Sequence, residues 1–282
     1  MNLWFKSLKM KTISPSDLNN FELQTLLQTA IAPRPIALAS TVDKDGNVNL
    51  SPFSFFNMFS SNPPIVIFSP ARRVRDNTTK HTLENVLEVP EVVIGIVNYK
   101  IVQQISLAST EYGKEVNEFV KAGLTMKDAD LVKPKLIEEC PVNLECKVLE
   151  IKHLGTQGGA GNLVICEVIK IHVQEEYLNE EGNLDQKKLD LVARLGGSWY
   201  SRNNESNLFD VPKPLVTKGI GFDRLPDEIK LSTIFTGNDL GMLANNEDLP
   251  EGDFTSDEEI HREAQKLLHQ HKIAETWKIL MQ

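Results

Sequence analysis

The residues best suited to chemistry fall in two short stretches. The first is Asn49-Leu50-Ser51-Pro52-Phe53-Ser54-Phe55-Phe56-Asn57, preceded by Arg34-Pro35-Ile36 and followed by Asn62-Pro63-Pro64. Strand-forming apolar residues are mixed there with hydroxyls, carboxamides and an arginine, more polar groups than a core alone needs. The mixture suits a binding edge where backbone and side-chain donors meet a flat ligand with a polar rim. The second stretch runs from Arg72 to Asn85. Asp76, Asn77, Thr78 and Thr79 read as cap residues ahead of a helix whose apolar stripe is Leu83, Val86 and Leu87. A helix start presents unpaired N–H groups and a positive dipole end. With the hydroxyls of Thr78, Thr79 and Thr82 and the charges of Lys80 and the arginines, it makes a phosphate seat. Each stretch also has a plainer reading: a capped surface helix, and a strand pair whose Phe53, Phe55 and Phe56 fill a core.

Other chemistries find less support. His81, His153 and His172 are scattered, the cysteines lack zinc spacing, and His269 and His271 sit two apart on an expected helix, on different faces. No metal site is expected. Gly155-Thr156-Gln157-Gly158-Gly159-Ala160-Gly161 lacks both the dinucleotide spacing and the Walker lysine, and lies between two strands, so it reads as a mobile hairpin loop. There is no GxSxG, and Cys140, Cys146 and Cys166 read as buried, reduced thiols.

The elements that position these residues follow from pattern. A helix is expected within Ser16–Ala30, stopped by Pro33 and Pro35. Strands are expected over Ile36–Val42, Val48–Ser60, Ile65–Ser69 and Val92–Asn98, with Asp45-Gly46-Asn47 as a hairpin turn. Val142, Leu144, Cys146 and Val148 alternate with Asn143, Glu145 and Lys147, which predicts a half-buried strand, and Leu163–Val173 returns beside it. Beyond residue 203 the texture changes to an acidic arm ending in one amphipathic helix, capped by Ser256 and Glu259. Two regions are therefore expected, 1–202 and 203–282. Short strands in hairpin rhythm indicate a mainly β, antiparallel barrel with peripheral helices. The chain has 282 residues, 41% apolar and 24% charged, with a formal net charge of −9. That charge disfavours nucleic acid and anionic membranes, and no apolar run is long enough to span a bilayer.

Taken in order, these segments resemble the flavin reductase family of FMN-binding split barrels, which includes flavoredoxin. The resemblance covers about Ile31 to Ser201. It rests on Arg34-Pro35-Ile36, Asn49–Asn57, Asn62-Pro63-Pro64, Lys80-His81-Thr82 with Asn85, Tyr112-Gly113, Glu118-Phe119, Cys140-Pro141-Val142 and Arg194-Leu195-Gly196-Gly197 with Tyr200. The reduced cysteines point to the cytoplasm, and the resemblance implies a Greek-key split β-barrel that forms a homodimer and binds FMN. It further implies that Arg34, Asn49, Ser51, Phe53, Ser54, Phe55, Phe56 and Asn57 meet the ring and ribityl chain, largely through backbone groups. Arg73, Thr79, Lys80, His81 and Thr82 then hold the phosphate. The family usually has Lys-Asp-Thr at the last three positions; here His81 replaces the acid.

The implied activity is hydride transfer from NAD(P)H to flavin, with reduced flavin passed onward. That step needs no side-chain acid or base, because the cofactor carries the chemistry. His172 is a lesser candidate for approaching the nicotinamide, a packing role being the plainer reading. Two alternatives fit the same residues: a flavoredoxin-like carrier that serves an electron-acceptor protein without NAD(P)H activity, and a non-enzymatic barrel that has lost its cofactor.

Overall fold

A computed structural model describes residues 9–214 and 217–281. The chain packs as two units, Ile13–Phe209 and a second built mainly on Asp210–Gln282. The expected boundary at 202/203 falls seven residues short of that division.

The larger unit is mostly antiparallel sheet. Its strands are β1 (Ala37–Val42), β2 (Val48–Phe53), β3 (Phe56–Ser61), β4 (Pro64–Phe68), β5 (Glu91–Ile96), β6 (Met126–Lys127), β7 (Leu136–Ile137), β8 (Val142–His153), β9 (Asn162–Val173), β10 (Leu191–Arg194) and β11 (Tyr200–Asn203). Helices α1 (Asn20–Ala30), α2 (His81–Glu88), α3 (Val102–Ala108), α4 (Glu118–Ala122) and α5 (Gln186–Leu189) lie between them. Seven strands form one sheet in the order β2-β1-β5-β8-β9-β4-β3. The two edge strands, β2 and β3, are consecutive in sequence and joined only by Ser54 and Phe55. Three peptide steps reach at most ~11 Å, so the sheet must curl until its edges stand side by side. They do not pair with each other, and the barrel is split there. The single strand expected over Val48–Ser60 is therefore two strands on opposite edges.

The start of the sheet follows from turn chemistry. Asp43 accepts hydrogen bonds from the N–H of Asp45 (3.0 Å), the N–H of Asn47 (2.9 Å) and the Asn47 amide (3.0 Å). Those bonds, the Asn47 amide's first, hold the Asp43 carboxyl below the usual carboxylate range. β1 is buried along its whole length. One of its faces sends Leu38 into a core with Leu50, Phe119 and Ile137, and the other sends Ala37 and Ala39 into a core with Phe68, Leu83 and Val86 of α2.

Of the expected polar face of β8, Lys147 is exposed but the other two residues are not. Asn143 and Glu145 are buried because the chain before β8 folds over them. Ile137 N–H donates to the Asn143 carboxamide at 3.0 Å, and that amide donates back to the Ile137 carbonyl at 2.9 Å. Glu145 accepts from the N–H groups of Asp130, Leu131 and Val132 at 2.7–3.1 Å. Backbone donors thus replace the water that alternation assumed.

The smaller unit holds α6 (Asp227–Lys230), α7 (Gly237–Ala244), α8 (Glu258–Leu268) and α9 (Ile273–Leu280). It is more than an arm: Phe235, Leu240, Leu268, Trp277 and Leu280 share a core of their own. The expected terminal helix is two helices, parted at His269–Lys272, where His271 adopts a left-handed φ of 57°. Neither His269 nor His271 lies within a helix. The cap of α8 is Asp257, whose carboxylate accepts from Glu259 and Ile260 N–H at 2.8 and 3.1 Å, in place of the expected Ser256. No helix among the described residues is long and apolar enough to cross a membrane.

Candidate functional site

Two clefts flank the split. The smaller, about 20 Å³, is lined by Asn49 and Ser51 of β2, Arg73, Lys80, His81 and Thr82 before and within α2, and Ser109–Tyr112 after α3. The larger, about 570 Å³, is lined by Leu23, Leu27 and Ile31 of α1 and its C-terminal end, by Arg34 and Phe55, by Val74, and by the Gly155–Ala160 loop. Adjacent residues serve both: Arg73 faces the small cleft and Val74 the large one, while β2 lines the first and Phe55 the second.

The basic cleft is built differently from the sequence expectation. α2 begins at His81, with Lys80 at the N-cap and no side-chain cap. Leu83 N–H donates to the Lys80 carbonyl at 2.9 Å, and the N–H groups of His81 and Thr82 have no intrahelical acceptor. The three threonine hydroxyls are already committed. Thr78 donates to Asp76 at 2.6 Å, Thr79 to Glu84 at 2.5 Å, and buried Thr82 to the Asn49 carboxamide at 2.9 Å. The bonds from Thr78 hold the Asp76 carboxyl down at about 2. What remains for an anion is the charge of Arg73 and Lys80 and the start of α2. Desolvation first, and then the Arg73 charge, lower the Lys80 pKa from its ordinary value, against the opposing pull of Glu111. Arg72 is structural: its guanidinium donates to the side-chain and backbone oxygens of Asn77 at 2.7 and 2.5 Å.

The Gly-rich loop is pinned, contrary to its expected mobility. Arg72 N–H donates to the Ala160 carbonyl at 2.8 Å and Gly159 N–H to the Arg72 carbonyl at 2.9 Å. Gly158 lets the two backbones approach closely, since an added Cβ would stand 3.0 Å from the Arg73 and Val74 carbonyl oxygens, a tight contact.

Arg34 is buried with no carboxylate partner in its hydrogen-bond set. It donates to the carbonyls of Gln28 (2.5 Å), Ile31 (2.6 Å) and Leu195 (2.9 Å), and its Nε lies 3.5 Å from Ser54 Oγ. Burial first, and then the nearby Arg194 charge, lower its pKa from the ordinary value. Its backbone pairs with Arg194 in both directions at 2.9 Å, which ties the β10–β11 hairpin to the site.

The candidate residues separate accordingly. Asn49, Ser51, Arg73, Lys80, His81 and Thr82 converge on the basic cleft, and Arg34 and Phe55 on the apolar one. Phe53 is a core residue, its ring 5.5 Å from that of Phe68, and Phe56 packs on the same cluster. Asn57 is exposed and accepts from Met58 N–H at 2.8 Å; Thr79 and Ser54 support neighbours but line neither cleft. Sequence reasoning passed over Glu111, which reaches into the basic cleft from the loop after α3, and the contribution of α1 to the apolar wall.

His172 lines a separate cleft with Lys127, Glu138, Asn143 and Gln174. Its Nε2 lies 2.6 Å from Glu145. Burial pushes the Glu145 carboxyl up, but the bonds from His172 and the Asp130 and Leu131 N–H groups outweigh it and hold the carboxyl low. Ligand atoms of Asp130, Glu145 and His172 lie within 4.8 Å of one another. Both Glu145 oxygens already accept hydrogen bonds and Asp130 holds the Lys170 ammonium, so the arrangement is a closed ion-pair cluster.

The sequence profile of the flavin reductase like domain matches residues 29–190, more than half of the chain and every residue of both clefts but those of α1. The chain belongs to the flavin reductase family. An uncharacterized protein of Aquifex aeolicus (strain VF5) is 36% identical over 63% of this chain and 88% of its own length. Among solved structures, nitrilotriacetate monooxygenase component B from Bacillus cereus superposes with a TM-score of 0.67 at 28% identity, over 73% of this chain and all of that one. The 2-nitrobenzoate 2-nitroreductase of Pseudomonas fluorescens superposes at 0.62 and 25% identity, over 74% of this chain and all of its own. The flavin reductase domain thus carries the split barrel of a flavin-related oxidoreductase.

Proposed function

We propose that this protein is an NAD(P)H-dependent flavin reductase that binds FMN across the split of the barrel. One observation carries the reading: a small cationic cleft and a large apolar cleft share the wall formed by the β2–β3 crossing and the Arg73-Val74 pair. A flat apolar ring joined by a polar chain to an anionic end has that polarity. The donor set fits each part. Arg73, Lys80 and the first turn of α2 suit a phosphate. Asn49 and Ser51 suit a polyhydroxyl chain. Leu27, Phe55 and Val74 suit a ring in a cleft of ligand-binding size.

When bound, the flavin supplies the hydride-accepting chemistry. The residues of the chain bind and orient. Lys80 and Arg73 fix the anionic end, and Phe55 with the α1 leucines excludes water from the ring. The Arg34 guanidinium supplies fixed positive charge beside Ser54. No acid or base is required of the protein in this reading, so His172, already engaged by Glu145, acts in packing.

We also propose a homodimer. α1 buries none of its residues within the protomer, and Phe21 and Leu26, which do not line the apolar cleft, are exposed along it. A second copy of the chain suits that face.

The test is an anaerobic visible spectrum of the FMN-loaded protein before and after NADH, then NADPH. Rapid bleaching by either nucleotide is expected. A flavin spectrum that persists with both points to a carrier reduced by another protein, and failure to retain any flavin at excess ligand overturns the binding reading.

A further inference from the structure

The cations of the basic cleft already have an anion. Glu111, on the loop after α3, reaches Arg75 at 2.9 Å, Arg73 at 3.1 Å and Lys80 at 3.9 Å. Three other acids stand near these cations, and each has partners of its own. Glu118 accepts from Leu50 N–H at 3.0 Å, and Asp76 binds Thr78 and, at 3.2 Å, Arg75. Glu84 takes the Thr79 hydroxyl. With Glu111 in place the cleft has room for about one water molecule, which is too little for a phosphate. Glu111 itself is not trapped. Its side chain is 41% exposed and stands on a loop, so it can swing outward.

From this arrangement we infer that Glu111 is a built-in counter-anion that holds the phosphate seat until a ligand's phosphate displaces it, and that it sets how strongly the site prefers phosphorylated over neutral flavins. The inference rests on the flavin reading above and deepens it. Without Glu111, Arg73 and Lys80 would face each other across a small volume, with the exposed Arg75 beside them. With it, their mutual repulsion is offset and the seat keeps its shape. The ligand's phosphate must then exchange for a carboxylate, so its net gain is smaller than the cations alone would give. Burial pushes the Glu111 carboxyl up, and the Arg73, Lys80 and Arg75 charges overcome this and hold it low, so it is an anion at neutral pH.

The experiment compares the native protein with E111Q, which keeps the shape and removes the charge, by fluorescence titration with FMN and with riboflavin. At a partly exposed pair the effect is screened, so FMN is expected to bind E111Q about 2–5-fold more tightly. Riboflavin should be unaffected, and the FMN gain should shrink as salt rises. Weaker or unchanged FMN binding to E111Q overturns the inference, because Glu111 then orders the arginines or is inert. Thermal melting checks that E111Q is folded. Calorimetric titration with inorganic phosphate in the absence of flavin separates this inference from the reading beneath it. If neither protein binds either flavin, the flavin reading fails. Tighter phosphate binding to E111Q still supports the counter-anion, and equal or weaker phosphate binding overturns it.

Discussion

Lys80 and Thr82 look alike on paper as phosphate donors, and the structure gives them different work. Lys80 keeps its ammonium in the basic cleft, while Thr82 is buried and spends its hydroxyl on Asn49. Lys80→Ala should therefore weaken FMN by about 1.5–3 kcal/mol, roughly ten- to a hundred-fold, and leave riboflavin unchanged. Fluorescence titration with both ligands checks it, and equal loss for both would move the phosphate elsewhere. Thr82 was legible in the sequence as a polar residue at a helix start, but its partner lies 33 positions away on β2. Local pattern carries no information about such a contact. The same limit hid Glu145. On β8 it reads as an outward carboxylate, yet its acceptors are filled by a segment that precedes it and by His172, 27 positions along. That cluster has an acid limit. The folded carboxyl titrates below its unfolded value. Its stabilising contribution is complete above the ordinary glutamate range and is lost as pH falls through the lower folded value, from about pH 4 downward. Urea midpoints measured from pH 6 to pH 3 should fall less steeply in Glu145→Gln than in the native protein.

Among the elements, the hairpin loop between β8 and β9 shows how context changes a segment's meaning. Its glycines signal a turn, and a turn is what they make. Only the partner loop reveals that Gly158 also buys contact between two backbones, with carbonyl oxygens where a side chain would stand. Gly158→Ala should push the Arg73-Val74 pair outward. A stability loss of about 1–3 kcal/mol is expected from the overpacking, together with weaker FMN binding, because Arg73 and Val74 line the two clefts. Denaturant melts and flavin titration read the two effects separately. Strand positions were largely legible, since period-two alternation and the Asp45-Gly46-Asn47 turn act locally. The break at Ser54-Phe55 was not, because an apolar run of aromatics reads the same whether the strand continues or crosses to the opposite edge.

For the whole molecule, the ordered motifs spread across the larger unit made the family legible, although each is weak alone. The smaller unit lacked such motifs. Its acidic loops suggested an arm, and the apolar residues that give it a core, Phe235 and Leu240 among them, are spaced too irregularly for a periodicity argument. The proposed assembly has a direct test. Phe21 is 70% exposed on α1, so Phe21→Glu should convert a dimer to monomers in sedimentation without lowering the stability of the protomer. A dimer that survives this change places the interface on another face.

The pairing of β4 with β9 also bears on how the chain is made. β4 ends at Phe68, and its partner residues on β9 begin at Val164. During synthesis the β3–β4 hairpin emerges early and offers an unpaired edge until roughly a hundred further residues have followed, roughly 5–20 s at ~5–20 residues per second. Val66 and Phe68, which end up buried, face solvent or a chaperone for that interval. Nascent chains arrested shortly before residue 164 should therefore be held by ribosome-associated chaperones, and those arrested well beyond residue 173 should be released.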